Sequence, residues 1–315
     1  MRGKGVVISM RILFIGQAAF GSDALAALVE QGEEVVGVIT SKGRGEVPDP
    51  VAVKAEELGL PVFTTSSLRI QEVADWVVQR KPDLMCLAYV TWIVPQSLID
   101  LAPLGGINYH PSLLPRHRGG SAMNWAILQG DKETGVTIHY IDAGIDTGDI
   151  ILQEKVPIDP DESVKTLYFQ KLYPLGVKLI ARAVALIREG KAPRIPQDDA
   201  QATYEPLITE EDLRLDWNRP VQELYRVVRA GDPAPGAVTN LRGEKLKIWA
   251  ARPVEEAASA GQKPGTIVAV NPRGFVVQAG EGALQVERVQ YPGTKKIPAP
   301  ELVDILKLAP GEVLG

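Results

Sequence analysis

Past its first nine residues the chain runs through a series of short apolar segments, each closed by Gly, Pro or polar residues. Arg11 to Ile15 is the first and ends in the turn Gly16 to Gly21; Val35 to Thr40, Pro61 to Thr64 and Leu84 to Ala88 follow. Segments this short and this aliphatic read as strands buried on both faces. Between them, Ser22 to Gln31, Pro50 to Leu58 and Leu68 to Gln79 carry apolar residues at helical spacing. Ser22 has the residue type of an N-cap, and Gly59 that of a helix stop. The alternation predicts an α/β fold, a doubly wound, mostly parallel sheet of Rossmann-like type. Ile107 to His110, Val136 to Tyr140 and Ile150 to Val156 add strands. Ser163 to Glu189 reads as a long helical region broken near Pro174.

After Gly190 the rhythm changes. Lys191 to Gln197 is an extended, Pro-containing connector. A helix near Pro220 to Arg229 precedes short strands at Val238–Asn240, Leu246–Ala250, Gly265–Val270, Gly274–Ala279 and Ala283–Val289. Strands without intervening helices predict a smaller C-terminal β-barrel, OB-like in character. The organisation read from the sequence is a tail at 1–9, an α/β catalytic domain at 10–190, a linker at 191–204 and the barrel domain at 205–315.

Composition narrows the classes. A length of 315 residues accommodates two domains with a core each. A net charge of -5 argues against broad, nonspecific nucleic-acid binding but leaves room for a local basic patch. Cys86, the lone cysteine, sits in an apolar run and reads as a buried thiol. It permits no internal disulfide, which fits a reducing, cytoplasmic setting. No apolar stretch approaches the roughly 18 residues of a membrane span, and that of the first nine residues is too short for a signal peptide.

The candidate chemistry is concentrated on two turns. Asn108 and His110 stand at i and i+2 at the end of a strand, so their side chains share a side. Open α/β sheets place their sites at such carboxyl ends. Asp146 follows in Gly144-Ile145-Asp146-Thr147-Gly148-Asp149. An amide, an imidazole and a carboxylate are the parts for moving a one-carbon acyl group. Attack by an amine on a formyl carbon develops an oxyanion to which Asn108 and an N–H of His110 donate. Asp146 orients and charge-stabilises His110, or relays the proton of the amine through water. Taken singly, each residue has an ordinary reading as turn former, structural hydrogen-bonder or Asx-turn; the combination is what points to chemistry. There is no Ser or Cys nucleophile elbow, and no ligand cluster that implies a metal. On the substrate side of the sheet lie Gly16, Gln17 and Phe20, in a turn that does not match a dinucleotide fingerprint. Arg116 and Arg118 suit a carboxylate or phosphate, or a surface ion pair. His117 between them reads as a loop former, and His139 as a pocket or a structural residue.

The run from Asn108-x-His110-Pro111 through Leu114-Pro115-Arg116-x-Arg118-Gly119, followed by Gly144 to Asp149, resembles the signature of the 10-formyltetrahydrofolate-dependent formyltransferases. The resemblance extends from Met10 to about Val303. Thr203-Tyr204, Leu215-Asp216-Trp217, Lys245 to Trp249 and Pro264 to Ile267 resemble the second domain of methionyl-tRNA formyltransferases. They resemble equally the hydrolase module of 10-formyltetrahydrofolate dehydrogenase. The resemblance implies 10-formyltetrahydrofolate as formyl donor and Asn108, His110 and Asp146 as the catalytic residues. It also implies a folate pterin held by loop backbone around Tyr89, Trp92 and Val94 and around Ile141 and Asp142. Arg116 and Arg118 would then meet the folate glutamate tail or a substrate phosphate.

The leading expectation is formyl transfer to the amino group of methionyl initiator tRNA. A hydrolase releasing formate and tetrahydrofolate, and a formyltransferase for a small amine such as an amino sugar, stand beside it. The loop Ser41 to Pro50 is shorter and less basic than the insertion typical of the tRNA enzymes, and the C-terminal domain has balanced charge. Gly16 to Gly21, His110 to Gly119, Ser121 to Trp125 and Gly190 to Arg194 lean towards the hydrolase module. Asn108, whose place looks apolar in that module, restores the transferase pattern.

Overall fold

The computed structural model describes residues 9–254 and 261–315; the expected tail, apart from Ser9, lies outside them. The chain divides into two compact units whose segments interleave. The first gathers the chain up to residue 118 with 135–156 and 170–204, and the second 119–134, 157–169 and 205–315.

The first unit is built on a seven-stranded sheet. Its strands are β1 (Arg11–Gly16), β2 (Glu34–Ser41), β3 (Val62–Thr65), β4 (Leu84–Ala88), β5 (Gly106–His110), β6 (Glu133–Tyr140) and β7 (Ile150–Pro157). Their order is β3-β2-β1-β4-β5-β6-β7. The first five run parallel, and β6 runs antiparallel to β5. Helices Ala18–Glu30, Pro50–Glu57 and Gln71–Arg80 connect the parallel strands. Ile12 to Ile15 and Leu84 to Ala88 are almost wholly withdrawn from solvent, as their unbroken apolar runs require. The chain winds outward from β1 through β2 to β3, then returns to β4 on the other side of β1. That reversal makes the carboxyl ends of β1 and β4 a topological switch point, where open α/β sheets bind ligands.

The first helix begins at Ala18, ahead of the Ser22 expected from the sequence, and Ser22 lies buried within it. The cap comes from elsewhere. One carboxylate oxygen of Asp49 accepts from Ala18 N and Val51 N, each at 3.0 Å, and the other from Ser41 Oγ at 2.6 Å. The region 163–189 forms a helix at Val164–Leu167, a π turn at Tyr168–Leu172 and a helix at Tyr173–Arg188, so the break falls just before Pro174.

The second unit holds an antiparallel sheet of β8 (Ala237–Leu241), β9 (Glu244–Val254), β10 (Ile267–Asn271), β11 (Gly274–Gln278), β12 (Ala283–Gln290) and β13 (Ile297–Pro298). The order is β8-β9-β12-β11-β10, with β13 on β12. The last residues join its two edges. Asn240 of β8 exchanges hydrogen bonds with Gly315 (2.8 and 3.1 Å), while Ile267 N of β10 donates to Glu312 O at 2.7 Å. The sheet therefore closes on itself as a barrel around Trp217, Leu224, Leu246, Phe275 and Val286. Two helices not foreseen from the sequence, Ala122–Gln129 and Ala299–Leu306, complete this unit. The first docks on helix Val221–Gly231, where Asn124 Nδ2 donates to Ala230 O at 2.8 Å. Among the described residues no helix is long and apolar enough to cross a membrane.

Candidate active site

β1, β4 and β5 end together, since the register pairs Gly16 with Ala88 and Leu87 with Asn108. Gly16 lets the backbones meet there: a Cβ on it would stand 2.5 Å from the Phe14 ring and 3.1 Å from Ala88 O. The loops leaving the sheet hold Ala18, Tyr89, His117 and Asp146 at φ between 55° and 59°. Side-chain-bearing residues adopt that left-handed region only under constraint, and such residues cluster at functional sites.

Asn108 and His110 project from alternate positions of β5. The antiparallel register of β6 sets His139 directly opposite Asn108, with Asn108 Nδ2 3.4 Å from His139 Nε2. Asp146 then lies between two imidazoles. Its carboxylate oxygens stand 3.5 Å from His110 Nδ1 and 3.5 Å from His139 Nε2, and its side chain is 14% exposed. The other nitrogen of each ring donates to backbone, His110 Nε2–H to His117 O at 2.7 Å and His139 Nδ1–H to Tyr140 O at 2.7 Å. Burial pushes the His110 imidazole below the ordinary histidine range, against the pull of the Asp146 carboxylate and the His117 carbonyl. The expected donation from His110 to an oxyanion does not suit this geometry, because its Nε2–H is already held by His117 O. His110 instead turns Nδ1 to Asp146, a geometry that can pass a proton, and the Asn108 amide carries an N–H that can donate.

The loop carrying Asp146 is locked from both sides. Asp142 accepts from Gly144 N at 3.1 Å and Thr147 Oγ1 at 2.5 Å. Gln197 Nε2 donates to the carbonyls of Asp146 (2.9 Å) and Gly148 (2.8 Å). Gly148 has no substitute, since a Cβ there would stand 1.8 Å from Tyr140 O.

The residues expected to hold a folate ring are assembled in part. Trp92, Val94 and Ile141 are half-buried on one apolar cluster with Leu87, Leu98 and Ile99. Tyr89 is exposed at the start of the same loop, and Asp142 acts within its own turn. On the substrate side, Gln17 Oε1 accepts from Thr91 N (3.2 Å) and Thr91 Oγ1 (2.8 Å), which ties the first turn to the 89–94 loop. Two expectations give way. Phe20 is 1% exposed, its ring centroid 4.3 Å from that of Tyr109 and 5.2 Å from that of Tyr173, so it belongs to the core. Arg118 is 2% exposed and donates to Gln197 Oε1, Asp199 Oδ1 and Tyr204 Oη, which leaves its fork holding the chain together rather than reaching a ligand. Arg116 is exposed. Among the described residues no group of three or more His, Cys, Asp or Glu is placed to hold a metal ion.

The family model described as formyl transferase matches residues 10–184, and that described as formyl transferase, C-terminal domain, matches residues 207–306. The chain belongs to the formyltransferase family. This formyltransferase is 38% identical over 312 residues to a methionyl-tRNA formyltransferase of Geotalea uraniireducens (strain Rf4), covering 97% of this chain and 98% of the relative. To that of Bacillus velezensis it is 39% identical, with 97% and 98% covered. Among solved structures, HypX from Aquifex aeolicus in complex with tetrahydrofolic acid aligns with a TM-score of 0.68 at 21% identity. That alignment covers 94% of this chain but 47% of HypX, and at that identity it bears on the fold alone.

Three residues of this formyltransferase's site carried little or no signal in the sequence. His139 faces Asp146 only because β6 is antiparallel to β5. Gln197 lies in the stretch read as a linker, yet Ile195 beside it pairs with Ile150 through two backbone hydrogen bonds of 2.8 and 3.1 Å. Thr203 Oγ1 accepts from His117 N at 2.8 Å and so fixes the carbonyl that orients His110.

Proposed function

We propose that this formyltransferase moves a formyl group from 10-formyltetrahydrofolate to the amino group of methionyl initiator tRNA, with Asn108, His110 and Asp146 as catalytic residues. The observation that carries the reading is Asp146 held between His110 and His139, beside the Asn108 amide, where β5 pairs with β6. The amine nitrogen forms its bond to the formyl carbon, and the Asn108 Nδ2–H stabilises the charge gathering on the formyl oxygen. The amine proton passes to the Asp146–His110 pair, and the same pair returns a proton to the folate nitrogen as its bond to the formyl carbon breaks. Trp92, Val94 and Ile141 would hold the folate ring, with Tyr89 and Asp142 shaping the loops beside it. On this reading the enzyme is cytoplasmic and its chemistry lies on the first unit.

Tetrahydrofolate release from 10-formyltetrahydrofolate, measured with and without methionyl initiator tRNA, tests the reading. Release is expected to need the charged tRNA and to fall by about 100-fold or more in Asn108→Ala, the usual cost of one lost oxyanion donor. Equal release without an acceptor, with formate as product, would replace it with hydrolysis. Release that requires an amino sugar would move the acceptor to a small amine.

A further inference from the structure

The stretch from Gln197 to Tyr204 has little regular structure beyond one short 3-10 turn at Asp199–Gln201, yet it meets both loops that carry the proposed proton pair. At its start, Gln197 Nε2 reaches the Asp146 loop through the carbonyls of Asp146 and Gly148. Near its end, Thr203 meets the His110 side. Thr203 Oγ1 accepts from His117 N at 2.8 Å, and Thr203 O accepts from Arg118 N at 2.9 Å. His117 O is in turn the group that accepts from His110 Nε2–H. All of these residues belong to the first unit.

Gln197 can bind in only one sense. A side-chain amide offers two N–H donors on its nitrogen and two lone pairs on its oxygen. Arg118, which can only donate, fills both lone pairs of Gln197 Oε1, from Nε at 3.0 Å and from Nη2 at 2.8 Å. The amide is therefore turned with both N–H groups toward the Asp146 loop, where each finds a carbonyl, and all four of its hydrogen-bonding positions are filled. Arg118 is itself buried and fixed by Asp199 Oδ1 (2.8 Å) and Tyr204 Oη (3.2 Å). The two residues clamped by this stretch, Asp146 and His117, stand at φ 55° and 57°. Side-chain-bearing residues keep that conformation where the bonds around them over-determine it.

We infer that Gln197, oriented by Arg118, and Thr203 are positioning residues for formyl transfer, and that the strap they form sets the Asp146 carboxylate and the His110 ring at their 3.5 Å separation. The inference rests on the proposed roles of His110 and Asp146, and it deepens that reading by assigning what holds the pair. One segment fixes both partners, so a change at either end of the strap alters the same distance. Gln197, Arg118 and Thr203 act through His110 and Asp146 and not on the substrate.

The test pairs kinetics of the full-length protein with the titration of the His110 ring by NMR, where the chain's three histidines make assignment direct. Burial lowers the His110 imidazole, the Asp146 carboxylate and the His117 carbonyl raise it, and the charges of His139 and His117 lower it again. Gln197→Met, neutral and of similar length, removes the clamp on the Asp146 loop. Thr203→Val removes the acceptor for His117 N. Each is expected to lower kcat by about 10- to 100-fold, as a misplacement of about 1 Å does, with KM for 10-formyltetrahydrofolate unchanged. In each, His110 is expected to titrate below its wild-type value, because a loosened partner raises it less. Gln201→Ala, which breaks a 2.7 Å bond to Asp198 inside the strap, is expected to leave both readouts at the wild-type value. Thr203→Val serves alone if Gln197→Met folds poorly. A His110 titration unmoved in both variants would overturn the inference whether or not kcat falls, as would an equal shift in Gln201→Ala. The titration needs no acceptor and is scored apart from the proposed activity. Variants that titrate lower but keep wild-type turnover uphold the strap and remove the His110–Asp146 pair from the chemistry. A wild type that formylates no tRNA moves the acceptor, and the titration still decides for or against the strap.

Discussion

His110 and His139 both turn their remaining nitrogen to Asp146, having each given an N–H to a backbone carbonyl. With both rings neutral and Asp146 ionised, two lone pairs would face a carboxylate. A proton held within the group relieves that opposition, and on the proposed reaction the group would take up the amine proton. Its affinity is a contest between burial, which lowers His110, and Asp146, which raises it. Asp146→Asn removes the upward pull, so His110 is expected to titrate lower than in the wild type when its ring resonances are followed by NMR; a higher value would mean that burial is not the dominant influence. His139→Gln leaves Asn108 a partner but takes one ring from Asp146. It is expected to lower kcat by about 10- to 100-fold, within the range of a lost acid–base group, and to move the acid limb of the pH profile with little change in KM for folate. An unaltered profile would return His139 to a structural role. Asn108, His110 and Asp146 were legible because strand-end spacing and Gly-rich turns are written locally. His139 could be read only as a pocket or a structural residue, because facing Asp146 depends on a strand direction that no local pattern encodes. Arg118 looked like a ligand residue for the same reason, its partners Gln197, Asp199 and Tyr204 being some 80 residues away.

The strands were readable as elements, since runs such as Leu84 to Ala88 have one composition and one fate. Their ends and couplings were harder. Helix Ala18–Glu30 has no side-chain cap of its own and borrows Asp49, 31 residues from Ala18. The barrel itself was expected, but the means of its closure was hidden, because the stretch that seals it, Glu312 to Gly315, has no strand pattern of its own. Leu314 is 2% exposed, its N donates to Gly265 O at 2.8 Å, and its neighbours bond to β8 and β10. Leu314→Ala removes a buried side chain at the seam, which costs about 2–5 kcal/mol in well-packed sites. The expected outcome is a lower Tm in circular dichroism and faster amide exchange in β8 and β10 than elsewhere in the unit. Exchange that rises evenly over the whole chain would show that the terminal segment does not seal those edges.

Local sequence patterns run in contiguous stretches, and they place boundaries in the chain at residues 190 and 205. Compactness divides it differently. Segments 119–134 and 157–169 stand among the strands of the first sheet in the sequence, yet they fold with the barrel. Asn124 bonds to Ala230, Tyr225 Oη donates to Asp161 Oδ1 at 2.9 Å, Arg229 Nη1 to Glu162 O at 2.9 Å and Ser163 Oγ to Asp232. Every one of these crosses the linear boundary at 205. A fragment of residues 10–204 would keep the trio and the complete parallel sheet, and by the sequence division it should fold as a domain. By the packing it should not, because helix Ala122–Gln129 and the segment at 157–169 lose the partners that satisfy them. Ala126, Ile127, Val164 and Leu167, buried in the full chain, belong to those two segments. Polar groups left without partners there cost about 1–3 kcal/mol each, and several losses together approach the 5–15 kcal/mol that stabilises an ordinary domain. The expected fragment is soluble only in part, elutes as aggregate on size exclusion and melts without a sharp transition, whereas the full chain melts cooperatively. A monomeric fragment with a cooperative melt would mean that the interleaved segments are ornaments on a self-sufficient catalytic domain. The predicted failure would instead mean that the barrel is needed to complete the half of the chain that carries the chemistry.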